Sequence, residues 1–120
     1  MHEVETVIAQ ACASHLAAGR LRLVESHVGD HGVPACTAAT DRLTLLAWVF
    51  HGELDGNLRS TAPGTQPLDL RRALRHLGAD WGSTWNREGI ASAFAQHLDR
   101  LDHEAADAGR WEAFRAAVQT

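Results

Sequence analysis

Lysine and tyrosine are absent from this 120-residue chain, and cysteine is scarce. The two cysteines, Cys12 and Cys36, lack the close spacing that is typical of zinc sites. A single pair also provides no disulfide framework of the kind found in small secreted proteins. All 11 basic residues are arginines, which we attribute to GC-rich coding rather than to function. We therefore expect reduced thiols, no metal site and a cytoplasmic location.

Long apolar runs and extended basic segments are missing as well. No run approaches the roughly 20 residues that a membrane-spanning helix needs. Residues 1–5 lack the basic and then apolar order of a signal peptide. The only local basic cluster is Arg71, Arg72 and Arg75, it has no interleaved aromatic residues, and the net charge of the chain is -4. These features predict neither a membrane nor a nucleic-acid partner.

What remains is the composition of one folded domain. Hydrophobic residues make up 45% of the chain, which is ordinary for a globular protein. A chain of this length can bury one core but not two. We predict a single domain over residues 1–120.

The beginning of the chain shows a helical pattern and then an alternating one. Residues 3–18 place their apolar side chains on one helical face, and Gly19 is a natural end. Residues 20–25 alternate and predict a short strand. The glycines and the proline of residues 27–34 predict a loop.

The middle of the chain contains its most apolar segment, residues 42–51. Its β-forming residues predict a strand covered on both faces, although a buried helix also fits. Asp55-Gly56 is a hairpin-type dipeptide and predicts a turn there. Residues 61–67 predict a loop, and residues 68–77 fit either a helix or a strand that includes His76. Residues 110–118 predict a C-terminal helix.

Residues 89–99 are the stretch on which the functional interpretation depends. With a period of two, as in a strand, one face carries Ala91, Ala93, Ala95, His97 and Asp99. With helical spacing, one face carries Ile90, Phe94, Leu98 and Leu101. The alanines favour a helix by local propensity, so both interpretations stay open here.

His97 and Asp99 are the candidate catalytic pair in the strand interpretation. Against a wall of alanine methyl groups, loss of solvation would favour the protonated carboxyl of Asp99 and suit it to general acid–base chemistry. His97 would share or relay the proton. In the helical interpretation, Asp99 instead forms an exposed pair with His103, four residues later.

Aromatic side chains provide candidate walls for a substrate pocket. Trp48 and Phe50 lie in the apolar middle segment, and Trp81 and Trp85 lie in a stretch rich in turn-forming residues. Plain core packing is the alternative for Trp48 and Phe50.

Several motifs in residues 41–111 together resemble the SnoaL-like polyketide cyclases. They are Asp41-Arg42-Leu43, residues 48–56, Ser60, Pro63-Gly64, Gly89-Ile90, Asp99 and Gly109. The resemblance implies an α+β fold of the nuclear-transport-factor-two-like type, in which helices wrap a curved mixed or antiparallel sheet into a cone with a deep apolar pocket. Only some 40 residues precede the matched part, so the N-terminus is shorter than in family members. We expect a homodimer through the exposed sheet face.

The resemblance also implies an activity. Asp99 falls where the family carries its acid–base aspartate, and His97 falls two residues earlier. This implies a cofactor-free aldol cyclisation, isomerisation or hydrolysis of an apolar polycyclic or aromatic intermediate. The expected substrate-binding residues are Trp48, Phe50, His76, Trp81 and Trp85. The absence of tyrosine counts against the ketosteroid-isomerase branch.

Two other functions remain open at this point. One is a non-catalytic small-molecule-binding protein of the same fold, acting as an accessory or resistance protein. The other is an all-α helical bundle that acts as a regulator or an inhibitor.

Overall fold

The computed structural model describes residues 3–28, 32–79 and 87–120. Its centre is a five-stranded antiparallel sheet in which the spatial order of the strands follows the sequence. The strands are β1 Arg22–Val28, β2 Pro34–Ala39, β3 Leu43–Phe50, β4 Glu53–Ser60 and β5 Leu68–Asp69. The α+β class is thereby confirmed, and the all-α alternative is wrong.

Five helices accompany the sheet: α1 Glu3–Ala11, α2 Ala13–Ala17, α3 Leu70–His76, α4 Arg87–Glu104 and α5 Ala108–Gln119. Helix α1 contacts β2, β3 and α4, while α4 contacts β3 and β4, so both helices lie on the same face of the sheet. The strand side chains that face them are buried, among them Leu45, Leu54 and Leu58. None of the described helices is both long and apolar enough to cross a bilayer.

The tight turn between β3 and β4 is made by His51 and Gly52. Their φ angles are 54° and 78°, and two consecutive left-handed residues form the type I′ turn that suits the twist of a two-residue hairpin. The turn predicted at Asp55-Gly56 is therefore wrong. Both residues lie within β4, and Gly56 stands opposite Ala47 of β3.

Residues 89–99 form part of helix α4, so the strand interpretation of this stretch is wrong. The buried side chains of α4 include Ile90, Phe94, Leu98 and Leu101, which follow helical spacing. The large side chains determine which face is buried because they offer the most apolar area. The alternating alanines have little apolar area to bury, so their period of two does not determine the conformation of this stretch.

Strand β2 also differs from the prediction, which placed a loop over residues 27–34. Val28 still belongs to β1, and Pro34 already begins β2, whereas residues 29–31 lie outside the described part. Alanines make up half of β2, and alanine has a low intrinsic preference for strands. Its pairing with β1 and β3 on both sides stabilises it instead.

Candidate functional site

His97 and Asp99 do not form a pair in the structure. Both lie on α4, and two residues along a helix correspond to a rotation of about 200°. Asp99 is exposed and His97 is half-buried. The other proposed partner of Asp99, His103, instead contacts Arg110, with 2.7 Å between the histidine Nε2 and a guanidinium nitrogen.

Trp48 and Phe50 lie on the face of the sheet that α1 and α4 do not cover. They alternate along β3 with the buried residues Leu45 and Ala47, so they point to the opposite side. The ring of Phe50 packs edge-on against His51, with 4.0 Å between the ring centroids. The two aromatic residues therefore share no pocket with Asp99.

His76, another predicted substrate-binding residue, is also separate from Asp99. His76 ends α3, and its ring lies 5.8 Å from the ring of Phe114 on α5, centroid to centroid. Trp81 and Trp85 lie outside the described residues.

Asp99 does line a cavity, at the place where α4 meets the residues after α2 and the turn between β2 and β3. Its volume is about 350 Å³. We call this cavity the Asp99 groove. The other lining residues are Gly19, Arg20, Thr40, Asp41, Arg42, Leu98 and Asp102. Leu98 is fully buried and gives the groove an apolar floor, whereas most of the other side chains are charged.

Thr40 fixes the geometry of the Asp99 groove. Its hydroxyl donates to the Asp102 carboxylate over 2.5 Å and accepts hydrogen bonds from the backbone N–H groups of Arg42 and Leu43, over 3.1 and 2.9 Å. These three bonds use the whole hydrogen-bonding capacity of a hydroxyl group. Because Thr40 is only 6% exposed, the bonds hold the turn firmly against α4.

Arg20 is held in the groove through a histidine. Its Nε donates to Nδ1 of His15 over 3.1 Å, and Nε2 of His15 lies 2.9 Å from the carbonyl oxygen of Ala95 on α4. A neutral imidazole with its proton on Nε2 satisfies both contacts. The terminal nitrogens of Arg20 have no hydrogen-bond partner in the described part of the chain.

The charges that line the groove are only partly paired. Asp41 forms an ion pair with Arg22 over 3.3 Å, and Asp102 accepts the bond from Thr40. The side chains of Asp99 and Arg42 make no ion pair or hydrogen bond within the described residues. Within the described residues, the groove thus offers the carboxylate of Asp99 and the guanidinium of Arg42 with neither an ion pair nor a hydrogen bond, and the terminal nitrogens of Arg20 without a partner.

Sequence reasoning selected Asp99 but missed Arg20, Thr40, Arg42 and Asp102. One signal was available, because Asp99 and Asp102 are three residues apart and so share a face if the stretch is helical. The contributions of Arg20, Thr40 and Arg42 depend on the tertiary fold, and no local pattern indicates them.

Among the residues that the structure describes, no group of three or more His, Cys, Asp or Glu side chains could hold a metal ion. No protein-family model, curated protein or solved structure matches the chain.

Proposed function

We propose that the protein is a non-catalytic binding protein that holds a small zwitterion, such as an α-amino acid, in the Asp99 groove. One observation carries this proposal. An unpaired carboxylate on α4 and an unpaired guanidinium on the β2–β3 turn line one groove, within the described part of the chain. The volume of about 350 Å³ lies at the lower end of the range for small-molecule sites, roughly 300–1,000 Å³.

The charges assign a place to each end of such a ligand. Asp99 and Asp102 would receive the ammonium group, and Arg42 and the terminal nitrogens of Arg20 would receive the carboxylate. Asp99, Arg20 and Arg42 are exposed and Asp102 is half-buried. Exposed ion pairs contribute up to about 1 kcal/mol each. We therefore expect weak binding, with dissociation constants on the order of 0.1–1 mM.

Binding is favoured over the acid–base catalysis that the resemblance to polyketide cyclases implies. General acid–base catalysis works best with a carboxyl group that is shielded from water and has a partner within hydrogen-bond reach. Asp99 is exposed, and His97 lies on another face of α4. The cyclase activity stays a prediction. The cone-shaped fold of that family also stays a proposal, since an antiparallel sheet with helices on one face is compatible with it.

The test is an NMR titration of the protein with free α-amino acids. Each amino acid is compared with its decarboxylated amine and with its deaminated acid. We expect the zwitterion to shift the amide signals of residues 19–20, 40–42 and 98–102, and each singly charged analogue to bind more weakly.

Two variants test the charge assignment. Asp99→Asn and Arg42→Gln should each weaken zwitterion binding up to about fivefold, or about 1 kcal/mol. Glu25→Gln and Arg59→Gln are the matched controls, because both side chains are exposed and lie outside the groove. The proposal is wrong if no amino acid shifts the groove signals, or if the controls weaken binding as much as the groove variants do.

A further inference from the structure

The face of the sheet opposite α1 and α4 carries a row of large apolar side chains. Leu46, Trp48 and Phe50 follow one another along β3, and we call them the apolar row. Phe50 is 55% exposed, and Leu46 and Trp48 are partly exposed. Contiguous exposed apolar side chains mark binding surfaces more often than single exposed ones do.

An acidic row runs beside the apolar row on the neighbouring strand. The register of β3 and β4 places Asp55 opposite Trp48 and Glu53 opposite Phe50. Side chains that stand opposite each other on one face have Cβ atoms about 5 Å apart. Asp69 of β5 stands opposite Asn57 and extends the acidic row across the sheet.

Arg71 compensates only part of this negative charge. Its guanidinium lies 3.7 Å from Glu53 and 3.8 Å from Asp55, and its Nε donates to the carbonyl oxygen of Leu54 over 3.0 Å. One guanidinium thus serves two carboxylates, whereas the third, Asp69, caps α3 by accepting a hydrogen bond from the backbone N–H of Arg72 over 3.0 Å. Arg59 lies on the same face of β4, two residues beyond Asn57, and makes no ion pair within the described residues. Burial raises the pKa of the Asp55 carboxyl, and the charges of Asp69 and Glu53 raise it further, against the lowering effects of the Gly56 N–H and Arg71. The acidic row therefore has room for another positive charge.

We propose that this face docks a partner protein through a segment that carries both apolar and cationic side chains. The apolar row would receive the apolar side chains, and the acidic row would receive the lysines or arginines. A cation above the ring of Trp48 gains a further cation–π attraction. Nucleic acid and anionic membranes carry the wrong charge for this surface. A second copy of the chain would bring its own acidic row to the same interface.

The probe is a short synthetic peptide in which lysine alternates with leucine and phenylalanine, with a matched peptide that carries glutamate in place of lysine. Binding is followed by the NMR signals of β3 and β4. We expect the lysine peptide to bind and the glutamate peptide not to bind. Because exposed charges are screened by ions, binding of the lysine peptide should weaken as salt is raised.

Substitutions then locate the docking surface. Phe50→Ser and Glu53→Gln should each weaken binding of the lysine peptide at least fivefold. Val24→Ser is the matched control for Phe50→Ser, because Val24 is an apolar side chain of similar exposure, 57%, on the edge strand β1. Circular dichroism checks that each variant keeps its fold.

Three outcomes would overturn the proposal. One is equal binding of the two peptides. Another is equal weakening by Val24→Ser and Phe50→Ser. The third is a protein that is dimeric by sedimentation, becomes monomeric in Phe50→Ser and fails to bind the lysine peptide. That last result would assign this face to a second copy of the chain.

Discussion

At the scale of single residues, Gly56 lies in the middle of β4 on the side of the core, where β3 passes close to it. A Cβ atom at this position would lie 2.5 Å from the carbonyl oxygen of Leu46 and 3.2 Å from a methyl group of Leu45. The oxygen belongs to the backbone of β3 and can move only if the strand pairing shifts. We therefore expect Gly56→Ala to lower the free energy of unfolding by about 1–3 kcal/mol, as measured by urea denaturation.

Gly109 is the matched control for this substitution. It lies in the first turn of α5, and among the described residues a Cβ atom there would meet only the Asp107 carboxylate, at 3.4 Å. Because alanine is a better helix former than glycine, Gly109→Ala should be neutral or stabilising by up to about 1 kcal/mol. Equal urea midpoints for Gly56→Ala and the wild type would show that β3 does not approach Gly56 this closely.

Asp99 could be selected from the sequence, but its neighbours in the fold could not. The period of two selects it together with His97, and the structure places it at a groove without that partner. Asp99 is a candidate in both interpretations, because a charged side chain between apolar neighbours stays near the surface whether the segment is a helix or a strand. Its neighbours depend on the fold, so the partner could not be inferred from the strand pattern.

At the scale of elements, Thr40 joins the β2–β3 turn to α4. Thr40→Val keeps the shape of the side chain but removes the hydroxyl, which leaves Asp102 without its donor and the N–H groups of Arg42 and Leu43 without their acceptor. The Leu43 N–H is buried, so leaving it unsatisfied costs about 1–3 kcal/mol, whereas the other two groups are only part-buried and lose less because water can reach them. We expect the midpoint of thermal unfolding to fall by several degrees, as measured by circular dichroism.

Thr37→Val is the control for this change. Thr37 lies on β2, and its hydroxyl makes no hydrogen bond within the part of the chain that the structure describes. Because valine suits a strand, this variant should match the wild type or exceed it slightly. If both variants unfold at the wild-type temperature, the Thr40–Asp102 bond does not contribute to stability.

Elements anchored by large apolar side chains were easier to predict from the sequence than alanine-rich ones. Strand β3 and helices α1 and α5 were predicted. The helix predicted over residues 3–18 is divided into α1 and α2, and β3, predicted to be covered on both faces, leaves Phe50 55% exposed. Strand β2 and helix α4 contain many alanines, which pack in either structure. Their conformation is decided by the strands that pair with β2 and by the four large side chains of α4. The β3–β4 turn was misplaced for a related reason. Gly52 and Gly56 are both compatible with a turn, and only the pairing of β3 with β4 shows that the turn lies at Gly52.

At the scale of the whole molecule, the one-sided arrangement of helices creates two separate surfaces. The Asp99 groove is built by α4, the residues after α2 and the β2–β3 turn. The apolar row lies on the face of the sheet that α1 and α4 do not cover. Since the two surfaces share no residue, the two proposed binding activities can be removed one at a time.

The free energy of unfolding of the whole chain should depend on pH, and between pH 9 and pH 11 this dependence should come from its two thiols. Cys12 and Cys36 are fully buried, and burial raises the pKa of each thiol to about 11, with a further contribution from Glu5 for Cys36. The sequence contains neither lysine nor tyrosine, so these thiols are the only side chains that titrate between pH 9 and pH 11.

The sign of the effect follows from which state loses its protons first. Between pH 9 and pH 11 the exposed thiols of the unfolded chain ionise while the buried thiols of the folded protein stay protonated. The unfolded state then binds fewer protons, and stability falls as pH rises. The slope should be about 1.4 kcal/mol per pH unit for each thiol.

Urea denaturation at pH 8.5, 9.5 and 10.5 measures this slope. Cys12→Ala and Cys36→Ala should each remove about half of the slope, and the double variant should show none. Equal stability of the wild type at pH 8.5 and pH 10.5 would show that the thiols are accessible to water in the folded protein.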